Sequence, residues 1–213
     1  MQNFHGHTTQ RTARRWWTTT LTALVSACLA MLPPGLYAHD FTLPPVPAEI
    51  EVPAGYRPFR LGHAVGTQNY ICLFPGSDFP WGFVGPQATL FNDDGRQIMT
   101  HFLSPNPDEG GTARATWQHS RDTSAVWAKR IAFSSDPDFV EPGAIPWFLL
   151  EVVGKEPEPT QEHWLTETKY IQRVYTTGGV EPTSGCTEAD NVGKQVLVPY
   201  TADYVFYKAT GHK

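Results

Sequence analysis

The chain has few of the features that usually reveal a function. It holds three cysteines in 213 residues, with no Cys-x-x-Cys pair and no third sulfur ligand beyond the signal-like segment, which argues against a sulfur-rich zinc site or a dense disulfide framework. After Leu32 no apolar run is long enough to form a membrane-spanning helix. No Gly-x-Ser-x-Gly elbow, His-Glu-x-x-His pair, phosphate-cradling Gly-x-x-x-x-Gly-Lys-Ser loop or dinucleotide-binding Gly-x-Gly-x-x-Gly turn occurs. These gaps remove the simplest enzymatic readings without excluding catalysis on a β scaffold.

The N-terminus has the layout of an export signal. Residues 1–38 contain Arg11, Arg14 and Arg15 but no carboxylate, then a mainly apolar run from Trp16 to Leu32. Pro33, Pro34 and Gly35 stop that run, and Leu36-Tyr37-Ala38 precedes the polar His39-Asp40, so cleavage is expected after Ala38. Two alternatives stay open. Arg14-Arg15 before Trp16-Trp17 could be a twin-arginine signal, and Val25-Ser26-Ala27-Cys28 resembles a lipoprotein box that would anchor the chain through Cys28. The expected location is the periplasm or the medium, with no membrane span once the signal is removed.

Processing would leave thirteen lysines and arginines against twenty-one acidic residues, a formal charge of −8. Such a surface repels nucleic-acid phosphates and anionic lipid, so neither is an expected partner. Without Cys28 the remaining cysteines are Cys72 and Cys186. Two cysteines in an oxidising compartment usually pair, and this bridge would stabilise the fold by about 4–5 kcal/mol in the chain-entropy picture. Free or metal-binding thiols are the alternative.

Residues 39–52 are proline-rich and aperiodic, and read as an arm or linker. From residue 53 to 213 the pattern is one of short strands rich in Val, Ile, Thr, Tyr, Phe and Trp. They are expected at 56–65, 67–74, 81–84, 88–91, 97–103, 113–119, 125–133, 146–153, 169–176, 195–200 and 204–208. Asn92-Asp93-Asp94-Gly95 marks a hairpin. Along 169–176, Ile171 and Arg173 point to one face and Tyr170, Gln172 and Val174 to the other, which predicts a sheet with one partly wet side. One short helical turn is expected over 160–165. About ten short strands and little helix predict a single all-β domain, a sandwich or a barrel, with one disulfide.

Several stretches taken in order resemble a known family: Gly66 to Cys72, Pro86 to Phe91 with Gly95, His101-Phe102, Ala115 to Trp127, Ile145 to Leu150, and Tyr170 to Val180 followed by Cys186. Together they resemble the domain-of-unknown-function family numbered 3455, found in exported bacterial proteins and in fungal ones, over about Pro53 to Tyr207. The resemblance implies a β-rich fold and a Cys72–Cys186 pair, but no activity, cofactor or catalytic residue. Many members carry Asp-Gly-Ser after the tryptophan strand; this chain has Asp122-Thr123-Ser124.

Three chemistries are open to these residues. His101, His119 and Asp122 could bind a metal or transfer protons, since neutral imidazole is both ligand and base near pH 7. The bland alternative is turn and sheet hydrogen bonding. Cleavage after Ala38 would expose His39, whose amine and ring nitrogen could hold copper; otherwise no cofactor is expected. Abundant aromatics fit a module that stacks on a carbohydrate or another small ligand, with Trp117 and Trp164 as the weak candidates for contact. A binding or accessory domain is preferred over a metal-dependent or acid–base enzyme, and a structural envelope protein is the third class.

Overall fold

The computed structural model describes residues 43–74, 76, 78–157 and 164–211. The segment expected to be an export signal, Cys28 and His39 lie outside the described residues, as does most of the helical turn expected over 160–165. Among the described residues eight antiparallel strands follow one another in chain order: β1 (Tyr56–Cys72), β2 (Trp81–Phe91), β3 (Gln97–Asn106), β4 (Thr112–His119), β5 (Ala125–Ser134), β6 (Trp147–Glu156), β7 (Thr168–Gly178) and β8 (Gln195–Ala209). Each pairs with the next, and β8 closes on β1 to form a barrel. Closure removes the exposed edges that an open sheet of this composition would carry.

All eleven expected segments are strands, but three pairs of them are continuous. The breaks placed at Gly66, at Gly85-Pro86 and at Thr201–Asp203 are crossed without interruption by β1, β2 and β8. At Gly66 the reason is close approach: a Cβ there would lie 2.2 Å from the Gln87 carbonyl oxygen of β2, so glycine lets two long strands cross closely. Pro86 sits opposite Gln68 beside the register shift at Asn69/Tyr70, where a missing N–H is tolerated.

Alternate side chains fill the barrel. Ala64, Leu90, Met99, Trp117, Val126, Leu150, Ile171 and Phe206 form its interior, with small residues on β1 facing large ones across the core. The outer face of β6, β7 and β8 is covered too. Ile50, on the short 3-10 turn Ala48–Ile50, is fully buried with Trp147, Leu149, Val174 and Val205, and Val140 closes the same patch. The Gln172 amide donates to the Ile50 carbonyl and accepts from the Tyr207 hydroxyl. Thus the Gln172 and Val174 face of β7 is covered by the segment read as an arm, where a sheet with one partly wet side was expected, because the apolar residues of that segment bury against the sheet.

Cys72 and Cys186 are bonded, with Cα atoms 5.4 Å apart and a sequence separation of 114. The bond joins the end of β1 to the 179–194 loop. Backbone bonds from Cys72 N–H to the Lys194 carbonyl and from Gly193 N–H to the Cys72 carbonyl hold the same corner. Closing so long a loop contributes about 4–5 kcal/mol in the chain-entropy picture. No helix among the described residues is long and apolar enough to cross a membrane.

Candidate functional site

The strand ends divide the barrel into two unlike mouths. At the mouth tied by the disulfide, a cavity of about 280 Å³ opens between β1, β4, β6 and β7, at the small end of ligand sites. Register builds its polar floor. Phe148 of β6 stands opposite Arg173 of β7, and Arg173 stands opposite Tyr204 of β8, so three inward side chains form one row across neighbouring strands. A second row comes from His101 of β3 opposite Trp117 of β4. Their rings stack at 4.1 Å and 10°, and each meets the Tyr204 ring, at 5.1 and 5.3 Å.

Arg173 is the chemical centre of this mouth. It is buried, lies 3.7 Å from the Phe148 ring centroid, and donates through Nε and Nη2 to the Pro146 carbonyl at 3.2 and 2.6 Å. Burial pulls its pKa down while the neighbouring Tyr204 and Tyr200 hydroxyls oppose the shift; a guanidinium remains charged throughout. Burial also raises the pKa of both tyrosines, so they are neutral hydroxyls.

His101 donates from Nδ1 to the Thr116 carbonyl at 2.8 Å, which fixes the tautomer and leaves Nε2 as an acceptor. Burial pushes its pKa to about 3, with the Thr116 bond opposing and Arg173 reinforcing the shift. This environment holds a neutral imidazole rather than a base poised near pH 7.

One buried donor in the mouth, Trp117 Nε1, lacks a hydrogen-bond partner, while the Gln68 amide bonds the Tyr200 hydroxyl. Gln68 is held against Gly179, whose φ is +79° and where a Cβ would lie 3.0 Å from Gln68 Cγ and 2.9 Å from Tyr200 Cβ. The Tyr70 hydroxyl donates to the Gly179 carbonyl at 2.7 Å. The Gly178-Gly179 turn therefore lets the chain leave β7 while pressing against the pocket wall.

The opposite mouth is plugged. Leu165 is fully buried in the interior, and the Trp164 ring lies parallel to His119 at 5.0 Å with the Arg60 guanidinium 4.6 Å from its centroid. Asp122 fixes this plug. Its Oδ1 accepts from Ser124 N–H and Oγ, its Oδ2 accepts from Trp164 N–H, and His119 Nδ1 stands 3.1 Å from Oδ1. Burial raises the Asp122 pKa, but these donors outweigh it and hold the group below its ordinary value. His119 is lowered by burial first and by Arg60 second, against the pull of Asp122. Beside the plug a second hollow of about 470 Å³ is lined by Arg60, Asp93, Asp94, Arg96, Arg121 and Trp164.

The expected site residues are thus split between the two ends. His119 and Asp122 come together with Trp164, while His101 joins Trp117 inside the barrel. Among the described residues no three His, Cys, Asp or Glu side chains gather as a metal site. Gln68, Phe148 and Arg173 lie in the stretches that carry the family resemblance but were not among the candidate site residues, and Tyr70 and Tyr204 were expected only as part of the abundant aromatics. One signal was present: Arg173 shares a strand face with Ile171, so the face that enters the core carries a cation.

The family model described as Protein of unknown function (DUF3455) matches residues 53–208, a span that begins just before β1 and ends within β8. No curated protein and no solved structure matches the chain significantly. The match covers well over half of the sequence and nearly the whole barrel, and the chain belongs to the family described as Protein of unknown function (DUF3455).

Proposed function

We propose that this protein is an exported binding module that holds a small organic ligand in the disulfide-tied mouth of the barrel, with residues 1–38 acting as the export signal. The observation that carries the reading is a buried donor without a partner, Trp117 Nε1, in a cavity that also holds the buried Arg173 guanidinium. Native proteins seldom leave such groups unpaired, because each costs about 1–3 kcal/mol; a ligand acceptor would satisfy them. The plug at the other mouth supports a cup open at one end, and the Cys72–Cys186 bond fits an oxidising compartment.

Native mass spectrometry of the protein exported by its host tests this reading. The expected result is a non-covalent adduct of small-molecule mass, lost on denaturation and absent from an Ala115→Phe variant that narrows the mouth. Ala115 lines the cavity. A bare exported chain, together with unchanged thermal stability of the protein in a panel of small acids, amides, alcohols and amines, would contradict it.

A further inference from the structure

The same cavity specifies the charge of what it takes, an inference that rests on the binding reading above. Its lining includes two arginines, Arg130 and Arg173, and no carboxylate. Arg173 is buried against the Pro146 carbonyl, the Tyr204 hydroxyl and the Phe148 ring, and its charged neighbour is another cation, Arg130. Among the described residues neither arginine has an acidic partner within 4.0 Å, whereas Arg114 and Lys208 each pair with a glutamate. A buried cation without a counter-ion is costly, and the ordinary remedy is an anion brought to it.

Hydrogen-bond polarity points the same way. Of the five N–H groups on a guanidinium, Arg173 gives two to Pro146, so others remain for a second acceptor. The unpartnered buried atom of the mouth, Trp117 Nε1, is also an N–H donor. A ligand rich in acceptor oxygens matches donors of this kind, and a carboxylate matches the planar guanidinium fork best. The remaining walls are apolar or aromatic, among them Phe83, Ile145, Phe148 and Leu150, and the volume admits little more than one ring or a short chain. Arg130, exposed at the rim and 5.0 Å from the Phe148 centroid on its other contact, places a second positive charge on the way in.

We infer that the mouth binds small organic acids, with the carboxylate held by Arg173 and the Trp117 indole N–H and the apolar body against Phe148 and Leu150.

Isothermal titration of the exported protein with three probes of one shape tests this: 3-phenylpropanoate, 3-phenylpropanamide and 3-phenylpropylamine. The acid is expected to bind at least about tenfold more tightly than the other two, the value of one charge-assisted hydrogen bond. Arg130→Gln, a surface change, is expected to weaken the acid several-fold and leave the amide unaffected. Arg173→Lys keeps the charge but loses the fork, and is expected to weaken the acid more. Equal binding of all three, or preference for the amine, overturns the anion inference while leaving the pocket as a binding site. No binding by any probe, combined with a bare exported chain in native mass spectrometry, overturns both.

Discussion

Arg173 lies against the face of Phe148 while both its Nε and Nη2 donate to the carbonyl of Pro146, the residue that leads into β6. One buried cation thereby joins β7 to the start of β6 and shapes the mouth between them. Arg173→Gln is expected to lower stability by about 1–3 kcal/mol, because the Pro146 carbonyl loses charge-assisted donors that a shorter amide cannot replace. Urea denaturation compared with wild type checks this. An unchanged midpoint and slope would show that the bonds to Pro146 contribute nothing net.

Gly179→Ala tests the pocket wall. The substitution forces a side chain into the left-handed region and against Tyr200 and Gln68, so a loss of at least ~2 kcal/mol is expected. Displacement of Gln68 should also reduce probe binding. Wild-type stability and affinity would show that the wall yields without cost.

Thr123 makes the opposite case. It sits at φ +60° in the β4–β5 turn, and it holds that shape because Asp122 and Ser124 are locked to each other on either side. Thr123→Gly is expected to stabilise the protein by about 0.5–1 kcal/mol, the relief of strain less the added freedom of the unfolded chain. Thermal unfolding of the variant checks this, and a lower midpoint would show that the threonine side chain contributes more than its strain costs.

Two histidines give stability opposite pH dependences. The His101 pKa falls from 6.5 unfolded to about 3 folded, so below about 6.5 the unfolded state binds a proton that the folded state refuses, and stability drops as pH falls. The slope is up to ~1.4 kcal/mol per pH unit. His119, also lowered, adds to it in the same direction. His101→Gln should therefore lose about 2 kcal/mol less than wild type between pH 6.5 and 5. His63 is bonded to Asp93 and Asp203 at 2.9 and 2.7 Å, and its pKa is raised by the Asp93 bond first, against burial, with Asp203 helping. Its contribution is present below about 6.5 and is lost as pH rises through the elevated folded value, so His63→Gln should flatten the alkaline side of the profile. Urea midpoints from pH 5 to 8.5 read both effects; identical profiles for wild type and variants would contradict them.

Local chemistry made much of this fold legible. Strand-forming residues between turn formers marked every strand segment, and Cys72 and Cys186 marked the bridge. Gly66, Pro86 and Asp203 read as interruptions because their meaning is tertiary: a close crossing, a register shift and a partner for His63 on another strand. The site was less legible for the same reason. Trp117 and His101 stand out as residue types, but their contact follows from the β3–β4 register. Arg173 gains its role only when barrel closure brings Tyr204 beside it and β6 supplies Phe148.

The central claim is that the disulfide-tied mouth holds a ligand through its unpaired donor, the indole N–H of Trp117, which reports on it directly. In two-dimensional ¹⁵N NMR of the protein titrated with 3-phenylpropanoate, the Trp117 Nε1–H signal is expected to shift as it gains an acceptor. The Trp147 indole, equally unpartnered but buried in the cluster outside the barrel, should stay in place. A Trp117 signal that remains fixed at saturating probe, or shifts confined to the outer surface, would contradict the account.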